Sequence, residues 1–239
     1  MTQFLLNEMY RCLQGEGFNI GKPSVLVRFQ ICNLRCIWCD TPQAQMRRMK
    51  GVEAKSLSLD DVVSEINRVS LESSIPIRHA IFSGGEPTIH PIHLIRRVLG
   101  DEWSVEVETN GTRIPHREFT EFLESDYSLF QWNISPKGIA AGEEIVPEAL
   151  EYWGELCKTH PKVFLKCVVR RGFAREDLAE IASWELRYSF PRDRIFLMPE
   201  GTTRESQTDA KWLHDICIDK GYRLAPRLHV VLFGNQKGV

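Results

Sequence analysis

The residues of this chain that are best suited to chemistry are three cysteines close together near the N-terminus. Cys32, Cys36 and Cys39 stand in the run C-N-L-R-C-I-W-C, with steps of four and three residues. Thiolates at this spacing can bind three irons of a 4Fe-4S cluster from one short loop, which leaves the fourth iron open to a substrate or cofactor. The spacing therefore predicts a reactive iron–sulfur centre.

Two other roles of these cysteines stay open on spacing alone. A structural zinc site closes its shell with four ligands, and the sequence offers no second Cys/His pair at short spacing to complete it. A redox-active dithiol needs only two of the three cysteines, and the third is then without a role. A non-catalytic zinc or interaction module and a dithiol enzyme are kept as alternatives to the cluster.

Composition is typical of an intracellular enzyme. The chain has 239 residues, of which 43% are hydrophobic and 26% charged, and we expect a single domain over residues 1–239. Its net charge of -2 argues against a broad basic surface, so neither nucleic acid nor a membrane is an expected partner. Seven cysteines, three of them clustered, indicate a reducing compartment rather than a disulfide framework. We therefore expect a cytoplasmic protein that acts on a small molecule.

From residue 57 onward, helical patterns alternate with short apolar runs. Strict alternation requires a mostly parallel sheet covered by helices, because parallel neighbours need crossover connections. Six predicted strands fall short of the eight of a closed barrel, so the sequence predicts an α/β fold with a partial barrel of six β/α units, and a doubly wound sheet is the alternative. The six strands cover residues 25–29, 79–83, 104–109, 130–135, 163–169 and 194–199.

The sequence predicts four further structural features. Ser58 and Asp61 form a capping-box pattern at the start of a helix, and a second helix is predicted from about Pro115 to Leu123. A closing apolar segment follows at residues 223–232, where Leu228 and His229 are predicted to lie in a strand. Residues 43–57 are predicted to be a short polar insertion.

Unusual residues follow the predicted strands. In parallel α/β folds, ligands gather at the carboxyl ends of the strands, so residues at these ends are expected to form one site. The sequences concerned are Cys32 after the first strand, G-G-E-P at 84–87, N-G at 110–111, S-P-K at 135–137 and M-P-E-G at 198–201.

The cysteines and one downstream motif together resemble the radical S-adenosylmethionine (SAM) superfamily. Its mark is C-x3-C-x-aromatic-C, matched here with Trp38 before Cys39, and the run S-G-G-E-P at residues 83–87 agrees in order and position. The resemblance implies a modified, partial TIM-like (β/α)6 barrel of the radical SAM type. It also implies that the open iron chelates the methionine part of SAM, from which one electron releases a 5'-deoxyadenosyl radical.

Residues near these motifs are the predicted SAM contacts. Gly85 lets the backbone approach a small zwitterion, the Glu86 carboxylate pairs with its ammonium group, and Lys137 neutralises its carboxylate. No catalytic residue is predicted beyond the cluster and the cofactor radical. The full predicted cofactor set is Trp38, Cys39, Asp40, Gly85, Glu86, Ser135, Pro136, Lys137 and Glu200.

Over nearly its full length the chain resembles the 7-carboxy-7-deazaguanine synthase family of the queuosine pathway. The discriminating match is L-Q-G-E-G at residues 13–17, joined by C-D-T at 39–41 and S-P-K at 135–137. The resemblance implies a carbon–nitrogen lyase that converts 6-carboxy-5,6,7,8-tetrahydropterin to 7-carboxy-7-deazaguanine with loss of ammonia. It further implies a homodimer, Mg2+ bound at Thr41, and an electron donor such as a flavodoxin or ferredoxin.

A pterin substrate needs hydrogen-bond partners for its pyrimidine edge and a cation for its carboxylate. Gln14 and the backbone of Leu13 and Gly15 are predicted to meet the ring edge, with Glu16 accepting from the ring amino groups. Arg28 is the predicted cation. The family resemblance adds two contacts, Ser83 and the terminal carboxylate of Val239.

One rival and one surface feature remain. An activase that installs a glycyl radical on a protein partner shares the cysteine pattern and a similar length, so it is kept as an alternative. The basic residues Arg47, Arg48 and Lys50 are interpreted as a solvated face, with a docking patch for an acidic electron donor as the sharper alternative. The cysteines outside the motif are interpreted as structural: Cys12, Cys157, Cys167 and Cys217.

Overall fold

Strands and helices alternate along the described chain, which comprises residues 2–45, 54–120, 130–236 and 238 of a computed structural model. The chain divides into two units. The first extends over Met1–Cys12, Lys22–Thr109 and Pro115–Trp132, and the second over Leu13–Gly21, Asn110–Ile114 and Asn133–Val239. The strand β6 (Phe130–Ile134) contains the point of division between them.

The first unit contains a mixed sheet of five strands, β1 (Gln3–Leu13), β2 (Pro23–Phe29), β3 (Lys55–Ser58), β4 (His79–Gly84) and β5 (Ser104–Thr109), in the spatial order β3-β1-β2-β4-β5. Its strand β3 runs antiparallel to β1, with Ser58 opposite Gln3, whereas β4 runs parallel to both β2 and β5. The helices of this unit that the structure describes in full are α1 (Leu59–Ser70) and α2 (Ile92–Leu99).

The helix α1 shows how the sequence specifies these elements. The Ser58 side chain accepts from the backbone N–H of Asp61, and the Asp61 side chain accepts in return from the backbone of Ser58, which confirms the predicted capping box. Apolar side chains at helical spacing then give one buried face of the helix, formed by Val62, Val63, Ile66 and Val69.

The second unit contains the parallel strands β7 (Val163–Val169), β8 (Ile195–Pro199) and β9 (Arg223–Leu224), in that order. Close packing between its helices depends on Gly154, where a Cβ would stand 1.9 Å from the carbonyl oxygen of Tyr188. The helices are α3 (Pro147–Thr159), α4 (Ala174–Tyr188), α5 (Arg204–Thr208), α6 (Lys211–Lys220) and α7 (Leu228–Phe233).

All six strands predicted from the alternation are present, as β2, β4, β5, β6, β7 and β8. The prediction for Leu228 and His229 is wrong, because both residues lie in the helix α7 rather than in a strand. The run L-H-V-V-L-F is continuously apolar apart from one histidine, and such a run does not separate a short buried helix from a strand. The predicted helix from Pro115 to Leu123 extends beyond the described residues; of its positions, 117–120 are helical.

The antiparallel strands β1 and β3 are additions to the predicted fold. The strand β3 includes the last residues of the predicted polar insertion at 43–57, while Arg47, Arg48 and Lys50 lie outside the described residues. Within the part of the chain that the structure describes, no helix has the length and apolarity needed to cross a membrane.

Candidate active site

The cysteine loop, defined as residues 30–41, leaves the end of β2 and is closed at its base by backbone hydrogen bonds. The N–H of Ile31 donates to the carbonyl of Ala44 at 2.8 Å, and the N–H of Cys32 donates to that of Gln45 at 3.0 Å. Ile31 has a φ of 80°, in the left-handed region that a β-branched residue rarely adopts. Such strain persists only where the surroundings hold it, so the backbone just before the first cysteine is firmly fixed.

The three motif thiols are available as ligands of the cluster that their spacing predicts. Cys32, Cys36 and Cys39 are not in disulfides, and their side chains are partly exposed. The N–H of Leu34 donates to the sulfur of Cys32 at 3.4 Å, and hydrogen bonds of this kind to ligand sulfur tune iron–sulfur centres. These residues would therefore hold a 4Fe-4S cluster from one side.

The four cysteines outside the motif differ from these three. Burial raises the pKa of Cys12, Cys157 and Cys217 to about 11 and that of Cys167 to about 12. Because the thiolate is the metal ligand and nucleophile, these groups are inert thiols at neutral pH. Cys157, Cys167 and Cys217 are buried as predicted, and Cys12 is half-buried.

The glycine pair at the end of β4 supports the cysteine loop directly. The N–H of Gly85 donates to the carbonyl of Phe29 at 2.9 Å, and the N–H of Glu86 donates to that of Ile31 at 2.8 Å. A Cβ on Gly84 would stand 2.2 Å from the Phe29 oxygen, and one on Gly85 would stand 2.0 Å from the Ile31 oxygen. The two glycines are therefore required by close backbone packing, a reason that the sequence did not reveal.

Glu86 is wholly buried and held in one orientation. Its Oε1 accepts from the backbone N–H of Thr88 at 3.0 Å and from the hydroxyls of Thr88 and Thr109, each at 2.7 Å. Three donors on one oxygen fix the direction of the carboxylate. The predicted pairing of Glu86 with an ammonium group stays a prediction.

Arg28 and Ser83 are neighbours on adjacent parallel strands, at paired positions of β2 and β4. The Arg28 side chain has an acidic partner that the sequence did not identify, since its Nε donates to Glu8 at 2.6 Å. Burial alone would lower the pKa of Arg28, but Tyr10 and Glu8 together raise it. Arg28 therefore stays a cation whose charge is shared with Glu8.

The remaining predicted residues of the first unit lie in or beside the cysteine loop. The sulfur of Cys39 stands 3.8 Å from the hydroxyl of Thr41. Trp38 is partly exposed and Asp40 is exposed. Among the residues that the structure describes, no three His, Cys, Asp or Glu side chains gather as the ligands of one metal ion would.

In the second unit, the Leu13–Gly21 segment carries the predicted substrate residues. Gln14 is buried, and its side-chain oxygen accepts from the N–H of Glu16 at 3.1 Å. The carbonyl of Gly15 accepts from the N–H of Leu228, at the start of α7, at 2.7 Å. A Cβ on Gly15 would stand 2.0 Å from Nδ1 of His229, so the histidine packs directly on this glycine.

Glu16 forms an ion pair with Lys166, a residue of β7 that sequence reasoning missed. The distance from Nζ to Oε2 is 2.5 Å, and the side chains of Glu16 and Lys166 are only 18% and 5% exposed. Burial alone would raise the pKa of Glu16, but the positive charges of Lys166, His229 and Arg227 outweigh it and lower that pKa to about 2. A lysine within the otherwise apolar strand V-F-L-K-C-V-V was the available signal.

The other predicted cofactor residues of the second unit lie at strand ends. Ser135 and Pro136 are buried directly after β6, and Nζ of Lys137 donates back to the carbonyl of Ser135 at 2.9 Å. Glu200 is exposed after β8, and its N–H donates to the carbonyl of Val169 at 2.9 Å. Leu13 is exposed at the end of β1, and Val239 lies outside the described residues.

Comparisons with known proteins agree with these motifs. The family model of the Radical SAM superfamily matches residues 26–205. The chain is 32% identical to the 7-carboxy-7-deazaguanine synthase of Pyrobaculum aerophilum, over 97% of this chain and 95% of that protein. It is 30% identical to the synthase of that name from Aquifex aeolicus, over 95% and 93% of the two chains, and 30% identical to that of Escherichia coli K12, over 96% and 98%.

A solved structure shows the same fold. The crystal structure of QueE from Escherichia coli matches with a TM-score of 0.68 and 24% identity, over 95% of each chain. The predicted α/β class with a partial (β/α)6 barrel of the radical SAM type is thereby confirmed, as is the family resemblance read from the motifs. The zinc module and the dithiol no longer explain the three cysteines. The chain belongs to the 7-carboxy-7-deazaguanine synthase family within the radical SAM superfamily.

Proposed function

We propose that this chain converts 6-carboxy-5,6,7,8-tetrahydropterin to 7-carboxy-7-deazaguanine with loss of ammonia, in the biosynthesis of queuosine and related 7-deazapurines. It is thus a carbon–nitrogen lyase that acts on a small molecule. The observation that carries the proposal is the match to relatives of that name over nearly the whole of both chains. The cysteine loop supports it, because backbone hydrogen bonds fix its base and each of its three motif thiols could ligate one iron of a 4Fe-4S cluster.

The first task of the residues is to hold and aim the cofactors. A bound 4Fe-4S cluster with SAM supplies a 5'-deoxyadenosyl radical. Cys32, Cys36 and Cys39 would ligate the cluster, and the fixed carboxylate of Glu86 would accept hydrogen bonds from the SAM ammonium group. The remaining proposed SAM contacts are Trp38, Asp40, Gly85, Ser135, Pro136, Lys137 and Glu200.

The second task is to bind the pterin. Gln14 and Glu16, with the backbone of Leu13 and Gly15, would meet the donor edge of the pyrimidine ring. The Arg28 guanidinium would pair with the substrate carboxylate, with Ser83 beside it at the paired position of the next strand. The further proposed contacts are the carboxylate of Val239 and an Mg2+ ion held by Thr41, an ion that keeps several waters and therefore needs few protein ligands.

The proposal includes partners. A radical SAM enzyme needs an electron donor, for which a flavodoxin or ferredoxin is proposed. The enzyme is further proposed to be a cytoplasmic homodimer without direct contact to nucleic acid, in keeping with its net charge of -2.

An anaerobic assay tests the function. Enzyme reconstituted with iron and sulfide is incubated with the carboxytetrahydropterin, SAM, Mg2+ and a reductant, and the product is identified by its mass. Formation of 7-carboxy-7-deazaguanine is the expected result. Cleavage of SAM without this product would retain the superfamily chemistry and reject the substrate.

A further inference from the structure

Two residues of β7 hold the Leu13–Gly21 segment. Phe164 stacks on Phe18 with ring centroids 4.9 Å apart, and Lys166 binds Glu16. Residues two apart in a strand point to the same face, so β7 presents an apolar anchor and a charged anchor side by side. The apolar anchor can place the segment without any charge, so placement alone does not account for a buried ion pair.

A buried ion pair is a poor means of stabilising a fold. Desolvation of two charges offsets most of their attraction, and apolar residues of similar size often serve as well. The lysine also interrupts a strand whose six other residues are apolar. These observations favour a role for Lys166 in the ionisation of Glu16, in addition to any contribution of the pair to stability.

We propose that Lys166 is a positioning residue that keeps Glu16 ionised, so that Glu16 accepts hydrogen bonds from a ring edge with adjacent N–H and amino donors. This inference rests on the proposed function, in which the substrate ring is a 2-amino-4-oxopyrimidine. An ionised carboxylate accepts through both oxygens, whereas a protonated one presents an O–H that opposes a ring N–H. Lys166 thereby selects for rings that carry two donors.

The charges that face Glu16 come from two elements and one adjoining residue. Lys166 belongs to β7, His229 to α7, and Arg227 immediately precedes α7. The Arg227 guanidinium also donates to the carbonyl of Gly201, so its positive charge is shared between that carbonyl and Glu16. Removal of Lys166 leaves the two other positive groups in place, so the pKa of Glu16 is expected to rise without reaching the value of an isolated buried carboxyl.

The test uses reconstituted enzyme with four single variants. Lys166→Met removes the charge at nearly constant length, Lys166→Arg retains it, and Glu16→Gln makes the acceptor permanently neutral. Lys158→Met is the matched control, because Lys158 forms an exposed ion pair with Glu155 at 2.6 Å, distant in sequence from the motifs.

Substrate affinity and steady-state kinetics are measured between about pH 8 and pH 5. Lys166→Met is expected to raise Kd and KM by about 10- to 100-fold, the effect of losing a hydrogen bond to a charged group. The loss is expected to be larger at the acidic end, with cluster content and kcat nearly unchanged. Lys166→Arg is expected to keep most of the substrate affinity, and Lys158→Met is expected to have the Kd and KM of the wild-type enzyme.

The double variant Glu16→Gln with Lys166→Met decides whether Lys166 acts through Glu16. A KM equal to that of Glu16→Gln alone supports the inference, and additive losses overturn it. Unchanged affinity in Lys166→Met at every pH also overturns it. If Lys166→Met does not fold, Lys166→Arg and Glu16→Gln still decide: loss of affinity in Glu16→Gln with retention in Lys166→Arg supports the proposal, and equal losses in both contradict it.

A measurement without substrate separates this inference from the proposed function. Carbon-13 labelling of glutamate side chains, with the Glu16 signal assigned by Glu16→Gln, follows its ionisation directly. The signal is expected to be constant between about pH 8 and pH 5 in the unchanged chain and to titrate in Lys166→Met. A constant signal in both rejects the role of Lys166, whereas failure to bind the pterin rejects the function alone.

Discussion

The cysteine loop and the Leu13–Gly21 segment are held by different forces. Backbone hydrogen bonds close the base of the cysteine loop, and Gly85 lies against the Ile31 carbonyl without space for a Cβ. The Leu13–Gly21 segment is instead held by side chains, through the Glu16–Lys166 ion pair and the Phe18–Phe164 stack.

The two regions are therefore suited to different tasks, cluster binding in the cysteine loop and substrate binding in the Leu13–Gly21 segment. A loop closed by backbone hydrogen bonds leaves three sulfurs available for irons, and the groups that form these bonds do not titrate. In a segment held by an ion pair, the strength of the attachment can vary with the surroundings, because the ionisation of Glu16 depends on the groups around it. Changes in the first region should therefore affect the cluster, and changes in the second should affect substrate binding.

Removal of one motif cysteine should have the largest effect. Cys36→Ala takes away one of three predicted iron ligands, so we expect loss of the brown iron–sulfur absorbance and of all turnover. Cys217→Ala is the matched control: its thiol is buried and protonated, and it should keep both properties and lose only about 1 kcal/mol of stability. An active, brown Cys36→Ala enzyme would reject the cluster assignment.

Gly85→Ala should distort the cysteine loop, because Gly85 packs against the backbone of that loop. The added Cβ would stand 2.0 Å from the Ile31 oxygen and 2.6 Å from that of Ala44, and backbone atoms cannot simply rotate away. We expect a loss of about 3 kcal/mol in the free energy of unfolding, measured in urea, together with lower iron content. Gly172→Ala is the control, since no described atom beyond its chain neighbours would lie within 4 Å of the added Cβ. Equal stability of the two variants would contradict the close approach of Gly85 to the Ile31 carbonyl.

The cysteine loop was predictable because its chemistry is local. Its three predicted ligands stand within eight residues of sequence, and the capping box of Ser58 and Asp61 is equally local. Both patterns have a direct physical cause that needs no knowledge of the fold. The Glu16–Lys166 pair joins residues 150 positions apart, so no spacing could reveal it.

Two elements show why the remaining fold was harder to predict. The strand β1 mixes polar and apolar residues, with only Phe4 and Leu6 fully buried, so its periodicity is weak. The strand β3 has four residues, of which only Leu57 is strongly apolar, and its pairing with β1 defines it. Such strands are specified by tertiary partners rather than by their own pattern.

Gly15→Ala should affect substrate binding and spare the cluster. Its Cβ would stand 2.0 Å from Nδ1 of His229, a side chain that can move, unlike the backbone that opposes Gly85. We therefore expect a smaller loss of stability, about 1 to 2 kcal/mol, with raised KM and normal iron content. Iron loss equal to that of Gly85→Ala would remove the distinction between the two regions.

The pH dependence of stability should reveal the charge of the Leu13–Gly21 segment most directly. The pKa of Glu16 is about 2 in the folded protein against an ordinary 4.5 in the unfolded chain. Because the folded state binds this proton less tightly, the ionised group stabilises the fold above about pH 4.5, and the stabilisation is lost as the pH falls toward 2. Between pH 7 and pH 3.5 this carboxyl should account for a loss of about 1 to 2 kcal/mol in the free energy of unfolding.

Glu16→Gln isolates this contribution, because the other carboxyls titrate alike in both proteins. Urea unfolding at a series of pH values should show the variant less stable than the unchanged chain at neutral pH, with the gap narrowing below about pH 4.5. This difference in unfolding free energy varies with pH only if Lys166 and its neighbours keep Glu16 ionised in the folded protein. A gap that stays constant with pH would mean that uncharged contacts such as the Phe18–Phe164 stack hold the segment.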